Sequence, residues 1–273
     1  MKKKSKSKND RPERKFYPLP EDTRKILEAT APAKRAANFS LLFYRYLAFR
    51  GSDCSLSGKD KSDVWFEVRG GFSQGNTFRR PLFEALKKRT AALREGLIQR
   101  HFTVKELVLE AKSPLVLGFG LESVLEAGLL LHHTYGVPYL AGSSLKGLLR
   151  FWFALTREAL VTELFGTQER AGILHLSDFL PESITDLEKD IINCHYQNYY
   201  AEKAPPTEAE TPVPVYFLTI PQGAKFRGLI WLTDRTYAQH FDDVLTALEE
   251  ALSEWGVGAK TAQGYGRMRV HAG

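Results

Sequence analysis

Tyr237, Phe241, Val244, Leu245, Leu248, Leu252 and Trp255 recur at three- and four-residue steps, the spacing of an amphipathic helix. Its other face carries Asp242, Asp243, Glu249, Glu250 and Glu254, so one side must find a core and the other must stay wet. Gly256 follows as a C-cap. Extended runs bracket this helix, Ala224–Leu232 before it and Tyr265–His271 after it. Upstream, Phe102–Ala111 reads as a strand, Ser144–Leu155 as a helix and Gly172–Leu176 as a short strand. The principal order is strand, helix, strand, strand, helix, strand. That order predicts an α+β, ferredoxin-like (RRM-like βαββαβ) core, the split-βαβ arrangement also used by RNA-recognition modules.

The remaining chain is fitted around this core. Residues 1–20 read as a basic disordered tail and linker, 21–101 as a helical, loop-rich N-terminal region, and 102–273 as the core with an insertion near 181–214. A helix is expected near Glu21–Thr30, and another over Lys34–Phe49 that is apolar nearly all round and therefore buried or covered by another chain. Gly51–Lys61 and Gly70–Asn76 read as loops, and Pro81–His101 as an amphipathic helix with a strongly basic face. Leu129–Thr134 is a short extended piece, Asp186–Tyr200 fits either helix or strand, and Ala201–Pro214 is a Pro/Glu-rich insertion. Val213–Ile220 and Ala224–Leu232 are expected to pair as a hairpin across Pro221 and Gly223.

Charge narrows the function once it is located. The net charge is +6, and residues 1–15 alone hold all of it, with eight basic groups against Asp10 and Glu13. Specific binding of a polyanion must then come from segregation within a neutral body. Val64–Lys105 holds nine basic groups against three acids, and Pro181–Glu210 seven acids against two lysines. Such a bipolar body suits a protein that touches both a polyanion and basic neighbours, although charge blocks of this size are equally consistent with solvated faces. The two cysteines, Cys54 and Cys194, lack metal-type spacing and point to a reducing compartment. No apolar run approaches a membrane span, and no apolar segment follows the first lysines as in a secretory signal, so a cytoplasmic protein with no membrane partner is expected.

Two segments carry candidate chemistry. In Tyr135–Trp152 a Pro/Gly turn runs into Ser143 and Ser144, either of which could N-cap the next helix, and Lys146 stands where a capping acid would. A cation at the positive end of a helix dipole costs about 0.3–1 kcal/mol. The mismatch predicts an external anion, phosphate above all, held by free amides, hydroxyls and the ammonium, with Arg150 one turn on. In the second segment, Gly256, Gly258, Gly264 and Gly266 surround Lys260 and Thr261 and lead to Arg267. This is not a P-loop, because Ala259 precedes the lysine and the loop runs from helix to strand. Glycines here let backbone approach a polymer closely. Arg69, Arg79 and Arg80 would extend the track. His132, His133 and His195 are the groups an acid–base ribonuclease would use, but His132 and His133 on a strand point to opposite faces. Neither metal-ligand spacing nor a GxSxG nucleophile motif is present.

The segment Leu131–Gly147, containing YGVPYLAGSSLKG, resembles the core motif of the RAMP superfamily, and within it the family of sixth subunits of the Cmr module of type III-B CRISPR effectors. Leu164-Phe165-Gly166 with Gly172–Asp178, the CHYQNYY block Cys194–Tyr200, Pro214–Leu218, and GVGAKTAQGYGR at Gly256–Arg267 are similar to the family's other blocks and fall in the same order. The resemblance implies a RAMP core in a cytoplasmic ribonucleoprotein for antiviral defence. It implies a non-catalytic subunit without cofactor that binds the CRISPR guide RNA near its 3′ end by shape and phosphate and helps position target RNA. Implied partners are a repeating backbone RAMP subunit, a small helical subunit and a further terminal RAMP subunit. Ser143, Ser144, Lys146, Arg150, Lys260, Thr261, Arg267, Arg79 and Arg80 are the expected RNA contacts. The alternatives are a metal-independent CRISPR-transcript endonuclease using a histidine, and a protein–protein adaptor whose interface is the apolar Lys34–Phe49 helix.

Overall fold

A computed structural model describes residues 16–30, 38–49, 54, 58–184, 186–194, 197–207 and 213–272. The basic tail before residue 16 and His195 lie outside the described residues. Among the described residues four helices come first: α1 (Glu21–Ala29), α2 (Phe39–Tyr44), α3 (Gly58–Gln74) and α4 (Asn76–Gln99). Strand β1 (Thr103–Ala111) leads through a long loop to α5 (Gly142–Thr156) and α6 (Val161–Phe165). Then come β2 (Leu174–Leu176), β3 (Leu180–Ser183), β4 (Glu188–Cys194), α7 (Gln197–Tyr200), β5 (Val213–Thr219) and β6 (Lys225–Leu232). Helix α8 (Phe241–Glu254) and β7 (Met268–Ala272) close the chain.

The main sheet runs β2-β6-β1-β7, with β3 continuing along the β2 edge of β6, and every pairing is antiparallel. That is the ferredoxin-like order, with α5 and α8 as its two crossover helices. Alternation on the strands sorts the faces. Leu107, Leu109 and Ala111 of β1 and Phe226, Ile230 and Leu232 of β6 join Leu145, Leu149 and Phe153 of α5 and Val244, Leu248 and Leu252 of α8 in one core. The same core takes Phe39, Phe43, Trp65, Val68 and Phe72 from the N-terminal helices. The opposite face carries Glu106, Val108 and Arg227, and α4 packs across it against β1, β3 and β6. Arg227 is held there between Glu106 and Glu182. The sheet surface that an RNA-recognition module leaves open is therefore partly roofed by the basic helix.

Four expectations are corrected. The helix over Lys34–Phe49 contracts, within the described residues, to Phe39–Tyr44, N-capped by Asn38 through the N–H groups of Ser40 and Leu41. The chain beyond it returns to bridge Phe49 to Phe16, and Phe39, Phe43, Leu47 and Phe49 are all buried, so this segment packs on its own core, with Leu41 left exposed. Gly70–Asn76 is not a loop: α3 continues to Gln74, because Gly71 lets Leu42 pack where a Cβ would sit 2.5 Å from its Cδ2. The hairpin pairs differently as well. β5 pairs with β4, whereas β6 is already flanked by β1 on one side and β2 and β3 on the other. Finally, β7 begins only at Met268, so Gly264 and Gly266 belong to the loop before it.

Candidate nucleic-acid interface

Helix α5 begins one residue before the paired serines. Its N-cap is Ala141, and the Gly142 N–H donates to Asp178 Oδ1 at 2.9 Å. The anion implied by the dipole mismatch is thus supplied by the chain itself, from the turn between β2 and β3. Gly142 is required there, since a Cβ would lie 2.6 Å from the Ser177 carbonyl oxygen. Ser143 and Ser144 do not cap; both are exposed on the first turn. Lys146 turns away from the dipole and donates to the Leu174 carbonyl at 2.7 Å. Burial, reinforced by Arg150, lowers its pKa. Arg150, one turn further, is exposed.

The loop that enters α5 is a stack of rings. His132 lies on Tyr135 at 4.2 Å between centroids and meets Tyr139 edge-on at 5.4 Å. Arg89 of α4 donates to the Tyr135 hydroxyl and sits 5.9 Å from its ring centroid. That contact joins α4, along which Arg80, Lys87, Lys88, Arg89 and Arg94 are exposed, to the loop that enters α5. Burial lowers the His132 pKa, Asp178 opposes the shift, and Arg89 and His133 add to it. Its Nδ1 is buried without a hydrogen-bond partner, and His133 is exposed.

The glycine-rich loop runs from α8 into β7 and packs on the segment after β1, where the Gly266 N–H donates to the Pro114 carbonyl and the Ala259 N–H to that of Val116. Its glycines approach the chain's own backbone. A Cβ on Gly266 would lie 2.2 Å from the Val257 oxygen, one on Gly256 2.7 Å from the Gly266 oxygen, and one on Gly258 2.5 Å from the Val116 oxygen. All three have positive φ. Gly264 alone of the four faces open space. Lys260 also has positive φ (60°) and lays its ammonium 4.3 Å from the Phe119 centroid, and burial lowers its pKa. Phe119 and Phe217 meet edge-on, and the Tyr265 hydroxyl donates to Asp190 at 2.5 Å, which pushes the Tyr265 pKa up to about 12. Thr261 starts a short 3-10 turn. Arg267 is half-buried with Nη1 lacking a partner, while its N–H donates to Ser113 Oγ at 3.0 Å.

Arg79 is a correction. It is fully buried, donates Nη2 to the Phe72 carbonyl and to Asn76 Oδ1 (2.7 Å), and stacks 3.9 Å from the Phe72 centroid. Burial pulls its pKa down to about 10. It braces α4 against α3 and cannot reach an external phosphate. Arg69 is likewise occupied, by Asp186 at 2.9 Å, while Arg80 is exposed. The structure thus places Arg80, Arg150, Ser143 and Ser144 at the surface and adds Lys87, Lys88 and Arg89, which the motifs had not singled out. Lys260, Thr261 and Arg267 form a second patch. Among the described residues no group of His, Cys, Asp and Glu is arranged to hold a metal, and no helix is long and apolar enough to cross a membrane.

Comparison with known proteins adds a family. Residues 108–269 match the sequence model of the RAMP superfamily. The chain is 30% identical to the CRISPR system Cmr subunit Cmr6 of Pyrococcus furiosus, with 58% of this chain and 66% of that protein covered. It also resembles a chain in the cryo-EM structure of the type III-B Cmr-beta bound to cognate target RNA, with TM-score 0.62 and 23% identity over 77% of this chain and 71% of that one. The last likeness is one of fold.

Proposed function

The chain belongs to the RAMP superfamily, and we propose that within it this is a non-catalytic, RNA-binding backbone subunit of a type III-B CRISPR effector. It takes the guide RNA near its 3′ end through phosphate contacts and helps position target RNA beside the repeating RAMP subunit, the small helical subunit and a further terminal RAMP subunit. The observation that carries the reading is the Arg89–Tyr135 contact. It ties α4 to the loop that leads into the exposed start of α5, and it holds a guanidinium with further donors for a phosphate. The glycine-rich loop offers a second contact through Lys260 and Arg267, both of which are partly exposed. Phosphate contacts position the protein without reading sequence, which suits a subunit that must accept any guide. His132 is packed between two tyrosine rings, an arrangement that supports a positioning role over acid–base chemistry.

Incubation with CRISPR-repeat RNA in EDTA tests the non-catalytic part. Intact RNA recovered on the protein is the expected result. Sequence-specific cutting abolished by His132→Ala would replace this reading with the endonuclease.

A further inference from the structure

Three large apolar side chains meet in the open where α5 and α8 end. Phe151 is 50% exposed, Leu155 61% and Trp255 38%. Phe151 and Leu155 are four residues apart on one stripe of α5, and Trp255 from the end of α8 closes on Phe151, 4.7 Å from it and 5.6 Å from half-buried Trp152 between centroids. The patch is braced from below. The Trp152 Nε1–H donates to Glu250 Oε2 at 2.9 Å, and Arg157 pairs with the same carboxylate at 3.1 Å. Exposed aromatics held in fixed geometry are the residues that anchor protein interfaces, and a monomer gains nothing by leaving them in water.

We propose that this patch docks an amphipathic, basic helix from another protein subunit of the effector. The proposal rests on the reading above that the chain works within an assembly. Two adjacent helix ends with exposed apolar side chains offer a face of the kind that takes the apolar stripe of a third helix. The rim decides the charge of the occupant. Glu254 and Glu158 are exposed beside the patch, and Arg157 is already spent on Glu250, which leaves Arg150 as the cation at its edge on α5. Lysines or arginines flanking the incoming stripe complement that rim. RNA fits poorly. The rings stand at 43° and 87° to one another and leave no parallel slot for a base, and the rim acids repel phosphate.

The test uses the whole effector, assembled by co-expression with its other subunits and guide RNA. Leu155 replaced by the photo-cross-linker p-benzoylphenylalanine should link to a basic helix of another protein subunit. A link to RNA, a link to a second copy of this chain, or no link from a particle that contains this chain would overturn the proposal. The double variant Phe151→Ser/Leu155→Ser should fall at least tenfold in incorporation into the particle, with unchanged melting temperature and unchanged binding of isolated protein to single-stranded RNA. Retained incorporation would overturn it. Loss of RNA binding by the unaltered protein would instead defeat the RNA-binding reading and leave the docking result standing on its own.

Discussion

Asp178→Ala separates what stabilises α5 from what binds RNA. The carboxylate accepts from the Gly142 N–H at 2.9 Å at the positive end of a 15-residue helix. Removing an N-terminal acceptor costs about 0.5–2 kcal/mol, and losing the charge–dipole attraction costs ~0.3–1 kcal/mol more. A combined loss near ~1.5 kcal/mol corresponds to roughly 3–6 °C in melting temperature for a chain of this size. RNA binding should move the other way, because the substitution deletes a negative charge beside Ser143, His132 and Arg89. Asp178→Asn isolates the two effects: the amide oxygen still accepts, so most of the stability should return, while the gain in RNA affinity should persist. Urea titration followed by tryptophan fluorescence reads the first effect, and filter binding to single-stranded RNA reads the second. An unchanged urea midpoint for Asp178→Ala would refute the capping assignment. Weaker RNA binding by Asp178→Asn would refute the claim that phosphate approaches this end of α5.

Other substitutions probe the remaining assignments. Arg79→Ala should destabilise by roughly 2–4 kcal/mol, since it empties a buried site and removes the hydrogen bond to Asn76, with no change in salt dependence of RNA binding; Arg80→Ala should do the reverse, and filter binding with urea melts on both settles it. Gly266→Ala should cost more than ~2 kcal/mol in a urea melt, because it adds left-handed strain to a collision with the Val257 oxygen, whereas Gly264→Ala, open to solvent, should cost about 1 kcal/mol. The His132 pKa is lowered in the fold, so at acid pH the unfolded chain binds the extra proton first and stability falls as pH drops through about 6.5. His132→Phe should flatten that part of a melting-temperature profile, and an equally steep profile would contradict it.

The parts of this protein that were legible in its sequence are those with local causes. The α8 stripe, its Gly256 cap and the order of core strands follow from periodicity and turn chemistry over short spans. The partner of β5 does not, because which strand occupies an edge of β6 depends on residues more than 40 positions away, among them Leu174–Ser183. Gly70 and Gly71 looked like a loop because the need for Gly71 comes from Leu42 on another helix. Arg79 could have been found: with Phe83 and Leu86 it repeats at four and three residues, so the buried stripe of α4 already contained it. The resemblance had marked Asp178 within a family block, but its capping of α5 and the Arg89–Tyr135 contact are tertiary and left no local trace. The glycine-rich loop was read as open to a polymer, yet three of its four glycines are fixed by contact with the chain's own backbone.

The central claim is that RNA phosphates are met by the joined surface of α4 and the start of α5. Its most direct test is the salt dependence of guide-RNA binding. For single-stranded RNA each phosphate contact contributes about 0.7 to the slope of log K against log salt. The triple variant Arg80→Gln/Arg89→Gln/Arg150→Gln should therefore be shallower than the natural protein by about 2, while Lys146→Met, whose ammonium is committed to Leu174, should keep the natural slope. A triple variant with an unchanged slope would contradict the account.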